Sequence, residues 1–142
     1  NSLRLEKAYK GWGSELTGEI SLIEAGMERF YNLNKKDKFI GSEALKEKIS
    51  QGIEIKIVYL EVSTKDADPF GNEPVYYNDK IVGVVTSGGY GFRVNKSLAF
   101  AYVEAELAQN VKEFQIKIQG EKRRATVLED MAYDPNNTKL KS

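Results

Sequence analysis

The sequence has no cysteine and no histidine. Without cysteine there is no disulfide, no thiolate metal site and no cysteine nucleophile. Without histidine the commonest general base and the commonest metal ligand are both missing. Serine–histidine hydrolases and histidine-bearing zinc sites cannot be built from such a chain. Charge of one sign is lacking too, since 21 Lys and Arg face 21 Asp and Glu. A surface dominated by charge, of the kind that grips nucleic acid or acidic membranes, is therefore not expected. No apolar run approaches the ~20 residues of a membrane-spanning helix. The acidic loop from Asp66 to Asn72 lacks the ligand alternation and the terminal glutamate of a calcium loop, so no metal is expected. No internal repeat or low-complexity segment is present.

What is present suits a packed core. The 142 residues, 41% hydrophobic and 30% charged, have an ordinary globular composition and fit one domain, or one domain plus part of another. The chain opens at Asn1, directly in a charged helical pattern, and is expected to be the C-terminal piece of something longer.

The first third is helical or mixed in pattern. Leu3, Leu5 and Ala8-Tyr9 suggest a short helix broken by Gly11-Trp12-Gly13, with Glu6 and Lys10 one turn apart on its solvated face. Ser21 followed by Glu24 is a capping-box pattern and predicts a helix over 22–30, with a short strand at 31–33. Asn34 to Lys38 is a charge run, read either as a solvated loop or as a cationic patch for an anionic tail. Ser42 is a second N-cap candidate for a helix that stops at Gly52, with Leu45 and Ile49 as its buried stripe.

At Gly52 the character changes. Strands are predicted over 53–63, 73–77, 81–86, 98–103, 113–119 and 123–128, separated by turn signals. Asn78-Asp79 suits a tight hairpin. The glycines at 88, 89 and 91 mark a bend or a close approach, and Asn95-Lys96-Ser97 a further turn. In 98–103, large Leu98, Phe100 and Tyr102 alternate with small Ala99, Ala101 and Val103, so both faces should be buried. Phe114, Ile116, Ile118, Val84 and Phe100 are expected inside. The expected fold class is α+β: a short helical remnant followed by a C-terminal antiparallel β-barrel or roll. The glycine run precedes a strand and not a helix, so it makes no phosphate loop. Tyr90 and Phe92 beside Arg93 and Lys96 could stack bases, but the neutral charge argues against a nucleic-acid partner.

Several stretches resemble a known family. Arg4-Leu5-Glu6-Lys7-Ala8-Tyr9-Lys10-Gly11-Trp12-Gly13-Ser14-Glu15-Leu16, Glu24-Ala25-Gly26 and Asp37-Lys38-Phe39-Ile40-Gly41 resemble segments of dimethylglycine and sarcosine dehydrogenases. So do Val82-Gly83, Thr86-Ser87-Gly88 and Lys96-Ser97-Leu98-Ala99-Phe100-Ala101-Tyr102-Val103. These belong to the folate-dependent aminomethyltransferase superfamily, with the T-protein of the glycine cleavage system. The resemblance implies that residues 1–52 end a folate-binding domain and that 53–142 form the C-terminal barrel. It implies tetrahydrofolate as cofactor, with FAD only in an N-terminal domain outside this chain, and a one-carbon unit passed from a small N-methyl amine to the folate. Glu6 falls where the family holds the pterin, whose adjacent donors suit a carboxylate. Lys35 and Lys36 lie nearest a family arginine, and a lysine there would make a looser contact than a planar guanidinium. Tyr133 matches a C-terminal tyrosine of some members. No catalytic residue is expected within the chain, and the chain alone is expected to be inactive. A non-catalytic folate-binding or structural module is the alternative. The location would be cytoplasmic, or the mitochondrial matrix in a eukaryote, with no membrane partner and a possible association with the remainder of the parent protein.

Overall fold

A computed structural model describes residues 1–141; Ser142, the last residue of the expected barrel, lies outside the described residues. Six antiparallel strands form a closed barrel: β1 (Ile55–Val62), β2 (Pro74–Tyr77), β3 (Lys80–Gly91), β4 (Lys96–Glu104), β5 (Glu113–Ile118) and β6 (Glu121–Val127), in the order β1-β4-β3-β2-β5-β6. Closure pairs β6 back onto β1, with Val62 opposite Ala125. Among the described residues this closure leaves no edge strand to pair with another chain. Helices are few: α1 (Ser2–Glu6), α2 (Ser42–Gln51) and α3 (Ala105–Asn110). Among the described residues no helix is long and apolar enough to cross a membrane.

The barrel interior follows from period-two alternation. In β5, Phe114, Ile116 and Ile118 point inward while Glu113, Gln115 and Lys117 face solvent. Val58, Leu60 and Val62 of β1, the small face of β4 and Ala125 of β6 complete this core. Helix α3, absent from the sequence-based expectation, packs Leu107 and Ala108 against the core at one end. Asn78 and Asp79 both adopt positive φ, 48° and 62°, as a tight two-residue hairpin requires.

The large face of β4 is buried elsewhere. Leu98 and Phe100 join Tyr59 and Leu5 of α1 in a second cluster on the outside of the barrel. Both faces of β4 are thus buried as expected, but Phe100 is not inside the barrel, and Val84 is 42% exposed. Phe100 follows the unbroken alternation of β4, whose small face takes the interior, whereas Val84 is turned out by two bulges in β3. Its register against β2 slips at Val75/Tyr76, so Val82 becomes an extra inward residue; against β4 it slips between Val85 and Ser87, so Thr86 is extra. Simple alternation therefore fails along β3.

Other local expectations are corrected for equally local reasons. The capping box at Ser21 forms, with Ser21 N–H donating to Glu24 Oε2 at 2.8 Å, but Gly26 at φ 61° ends the turn and only a 3-10 turn at Glu28–Phe30 follows. No strand forms at 31–33. Helix α2 starts at Ser42 with Gly41 as its N-cap and no side-chain cap bond, and Ile49 is exposed. Ala8 at φ 54° ends the first helix, so Glu6 and Lys10 do not form a helical pair. The glycines of β3 mark close approach and not a bend. A Cβ on Gly88 would meet the Pro69 carbonyl, and one on Gly91 would come within 3.0 Å of Glu6 Cγ. The chain turns later, at residues 92–95, and Lys96 and Ser97 already belong to β4.

Candidate functional site

The N-terminal segment is buckled onto the barrel by two buried glutamates. Glu15, 0% exposed, sits beside the β3 bulge. Because Thr86 is the extra residue there, Thr86 and Ser87 present consecutive hydroxyls to the same side. Both donate to Glu15 Oε1, at 2.7 and 2.5 Å. Oε2 accepts from Gly11 N–H at 2.7 Å, Arg4 Nη1 at 3.0 Å and Ser14 Oγ at 3.1 Å. The Tyr102 hydroxyl donates to the Glu15 carbonyl at 2.8 Å. Burial pushes the Glu15 carboxyl up, but the Ser87 hydroxyl, Gly11 N–H, Thr86 hydroxyl and Arg4 charge together hold it below the usual carboxylate value. It is an ionised group whose acceptor positions are filled by the protein.

Glu6, 2% exposed, is the second buckle. Its Oε1 accepts the Arg93 N–H from the β3–β4 turn at 2.7 Å. The last carbonyls of α1, which no helical turn follows, also find partners. Tyr59 donates its hydroxyl to Leu5 O at 2.7 Å, and Tyr133 its N–H to Glu6 O at 2.9 Å. The structure thus brings Glu6 and Tyr133 together through the main chain of one and the other. Lys35 and Lys36 stand apart on an exposed loop, and among the described residues neither forms an ion pair.

At the seam between this segment and the barrel lies an open groove of ≈ 560 Å³. Such a volume suits a small organic ligand. Tyr59 and Phe100, ring centroids 5.1 Å apart, form its aromatic floor. Lys7, Lys10 and Arg29 bring positive charge to its lining, and Glu129, paired with Lys112, and Asp130 bring negative charge. The Lys10 ammonium lies 5.7 Å over the Phe100 ring. Burial and the Arg29 charge lower the Lys10 ammonium below its ordinary value, against the pull of Glu28 and Glu15. Among the described residues no cluster of acidic side chains could hold a metal. Sequence reasoning missed Glu15 and Arg29. Glu15 had one local signal, the N–H-rich turn at Gly11-Trp12-Gly13, but its hydroxyl partners stand 71 and 72 positions away.

The structure is that of a closed six-stranded antiparallel barrel domain, with an N-terminal segment clasped to its outer face and a cationic, aromatic-floored groove at the seam. The chain belongs to the glycine cleavage T-protein C-terminal barrel domain family, whose profile matches residues 56–134. It is 43% identical to mitochondrial dimethylglycine dehydrogenase of Mus musculus over 130 residues, 92% of this chain and 15% of that protein. It is 31% identical to an aminomethyltransferase of Synechocystis sp. over 94% of this chain and 36% of the relative. The crystal structure of glycine cleavage system aminomethyltransferase T from Bartonella henselae superposes with a TM-score of 0.84 at 26% identity, over 94% of this chain and 38% of that one. The chain therefore spans well under half the length of these relatives.

Proposed function

We propose that this chain is the C-terminal part of a tetrahydrofolate-dependent aminomethyltransferase-like protein of the dimethylglycine/sarcosine dehydrogenase type. In that protein a one-carbon unit passes from an N-methyl amine to tetrahydrofolate. On this proposal residues 1–52 complete the folate-binding domain and the barrel begins at 53. FAD would belong to a domain outside this chain, and a mitochondrial location follows if the source is eukaryotic.

The groove is the single observation that carries the proposal. Tetrahydrofolate combines a flat heteroaromatic ring, an aryl linker and an anionic glutamyl tail; bound, it supplies the nitrogens that accept the carbon. The floor of Tyr59 and Phe100 suits flat rings, and Lys7, Lys10 and Arg29 suit the carboxylates. Lys35 and Lys36, exposed and without ion pairs, would reach a longer anionic tail. Glu6 and Tyr133 complete the contacts the resemblance implies. For Glu6 the pterin contact would fall to the carboxylate oxygen that Arg93 does not use.

A second reading is favoured by one observation. The buried glutamates Glu6, Glu15 and Glu24 are all engaged in holding the chain together, which suits a non-catalytic folate-binding or structural module.

Titration of the chain with tetrahydrofolate, followed by amide NMR shifts, tests the proposal even if affinity is only millimolar. Shifts at Lys10, Met27, Arg29 and residues 128–131 of the groove, and at Glu6, Tyr133, Lys35 and Lys36, are expected. Shifts elsewhere, or none at millimolar ligand, would remove the groove from the proposal. A Glu6→Gln variant that binds as well as the parent would remove Glu6.

A further inference from the structure

The stretch after β6 lines one side of the groove; between the ties at its two ends, the Lys112 ammonium donates to Glu129 Oε1 at 2.7 Å, and Leu128 and Ala132 pack against the Tyr59 and Phe100 cluster. At its start Leu128 N–H donates to Tyr59 O at 2.8 Å. Along the wall, Met131 N–H turns back to Asp130 Oδ1 at 2.8 Å, a bond within the stretch itself. At its far end the chain folds into a small knot. The Asp134 carboxylate accepts from the Thr138 N–H and hydroxyl, both at 2.8 Å, and Asn137 N–H donates to Asp134 O at 2.9 Å. The knot is held to α1 by the Tyr133 N–H on Glu6 O and by one side chain, Lys7. Its ammonium donates to Asn137 Oδ1 at 2.6 Å and to Asp134 O at 3.1 Å.

We propose that Lys7 is a positioning residue that fastens residues 129–137 as a strap across helix α1, and so sets one wall of the groove. Three facts lead there. Lys7 follows the last residue of α1, and its side chain crosses to a segment 127 and 130 positions away. Its acceptors, a main-chain carbonyl and a side-chain amide, cannot themselves ionise, so the tie depends on the lysine charge alone. Asn137 adopts φ 54°, a backbone state that asparagine tolerates and that aims its side chain back at the knot's partner. The fastening is a property of the free chain, whereas its consequence for a ligand rests on the groove proposal above.

The test compares Lys7→Met, Asn137→Gly, the double variant and Asn137→Asp. Glycine accepts the positive φ at 137, and Asn137 does not line the groove, so Asn137→Gly loosens the strap without touching a ligand contact. Amide exchange of residues 133–139 is read by NMR without ligand. Each single variant should exchange about tenfold faster, the double variant no faster than either single, and Asn137→Asp should keep the protection. Unchanged protection, or additive single effects, would overturn the fastening. In the tetrahydrofolate titration Asn137→Gly should then bind at least about threefold more weakly. Faster exchange with unchanged affinity would overturn the wall. A parent chain that binds no folate would count against the groove proposal, and the exchange data would still decide the fastening.

Discussion

Glu15 and Ser87 are 72 positions apart in the chain, and the Ser87 hydroxyl donates to Glu15 Oε1 at 2.5 Å. This contact joins the N-terminal segment to the bulge where β3 carries an extra residue against β4. A bulge leaves hydroxyls facing outward without ladder partners, and a buried carboxylate collects them. The barrel irregularity and the segment that covers it are therefore parts of one device.

Glu15→Ala should be severe. It removes the shared acceptor of Arg4, the Gly11 N–H and three hydroxyls in a closed site. Loss of about 3 kcal/mol is expected, with Glu15→Gln intermediate. Urea denaturation checks this. A loss within about 0.5 kcal/mol, the range of an ordinary surface substitution, would show that the segment is not held by Glu15.

Stability should fall at both pH extremes for stated reasons. The folded Glu15 carboxyl lies below its ordinary value of 4.5, so its contribution is fully present above 4.5 and is lost as pH falls through the lower folded value. Tyr59 is the opposite case. Burial pushes its hydroxyl up from 10.0 to about 12, so its contribution is present below 10.0 and is lost as pH rises toward 12. Thermal melts across pH should show a smaller acid arm in Glu15→Gln, with Glu24 keeping part of it, and a smaller alkaline arm in Tyr59→Phe, with Tyr102, also pushed up by burial, keeping the rest. An acid arm of full size in Glu15→Gln would move the effect to other carboxylates.

Phe100→Ala and Val84→Ala separate the two faces of the sheet. Phe100 is 1% exposed between Leu5, Tyr59 and Leu98, and its loss should cost about 3–5 kcal/mol. Val84 points outward, so Val84→Ala should stay within about 1 kcal/mol. Denaturant midpoints compare them directly. Equal losses would place Val84 in the core after all.

Gly88→Ala should destabilise although alanine is small. Its Cβ would collide with the Pro69 main chain, which belongs to the loop crossing beneath β3. Overpacking of this kind costs about 1–3 kcal/mol. Gly18→Ala, with nothing within 4 Å of its Cβ, is the matched control and should be near neutral. Melting temperatures that change alike would remove the close approach as the reason for glycine at 88.

Local pattern reached a large part of this fold. The alternation of β5, the Asn78-Asp79 hairpin and the change of character at Gly52 are each decided by residues within a few positions of one another. So is the double burial of β4, because large and small residues alternate there without a break. The assignment of sides in β3 was not legible. Alternation places Val84 inward, and only the slips in pairing against β2 and β4 turn it out. The capping box at Ser21 was legible as a set of hydrogen bonds but not as a helix, since Gly26 reverses the backbone one turn later.

The candidate site divides along the same line. The sequence by itself determined that no thiol or imidazole chemistry is available, and its motifs resemble those of a folate-linked family. Only the tertiary structure decided that Glu6 and Glu15 hold the chain together, that Lys10 lies over the Phe100 ring in a groove Arg29 also lines, and that Lys7 reaches the C-terminal stretch. Each of these joins residues from distant parts of the chain. Burial then decides which charges are filled by protein donors and which face the groove, and burial is set by the whole packing and not by neighbours in sequence.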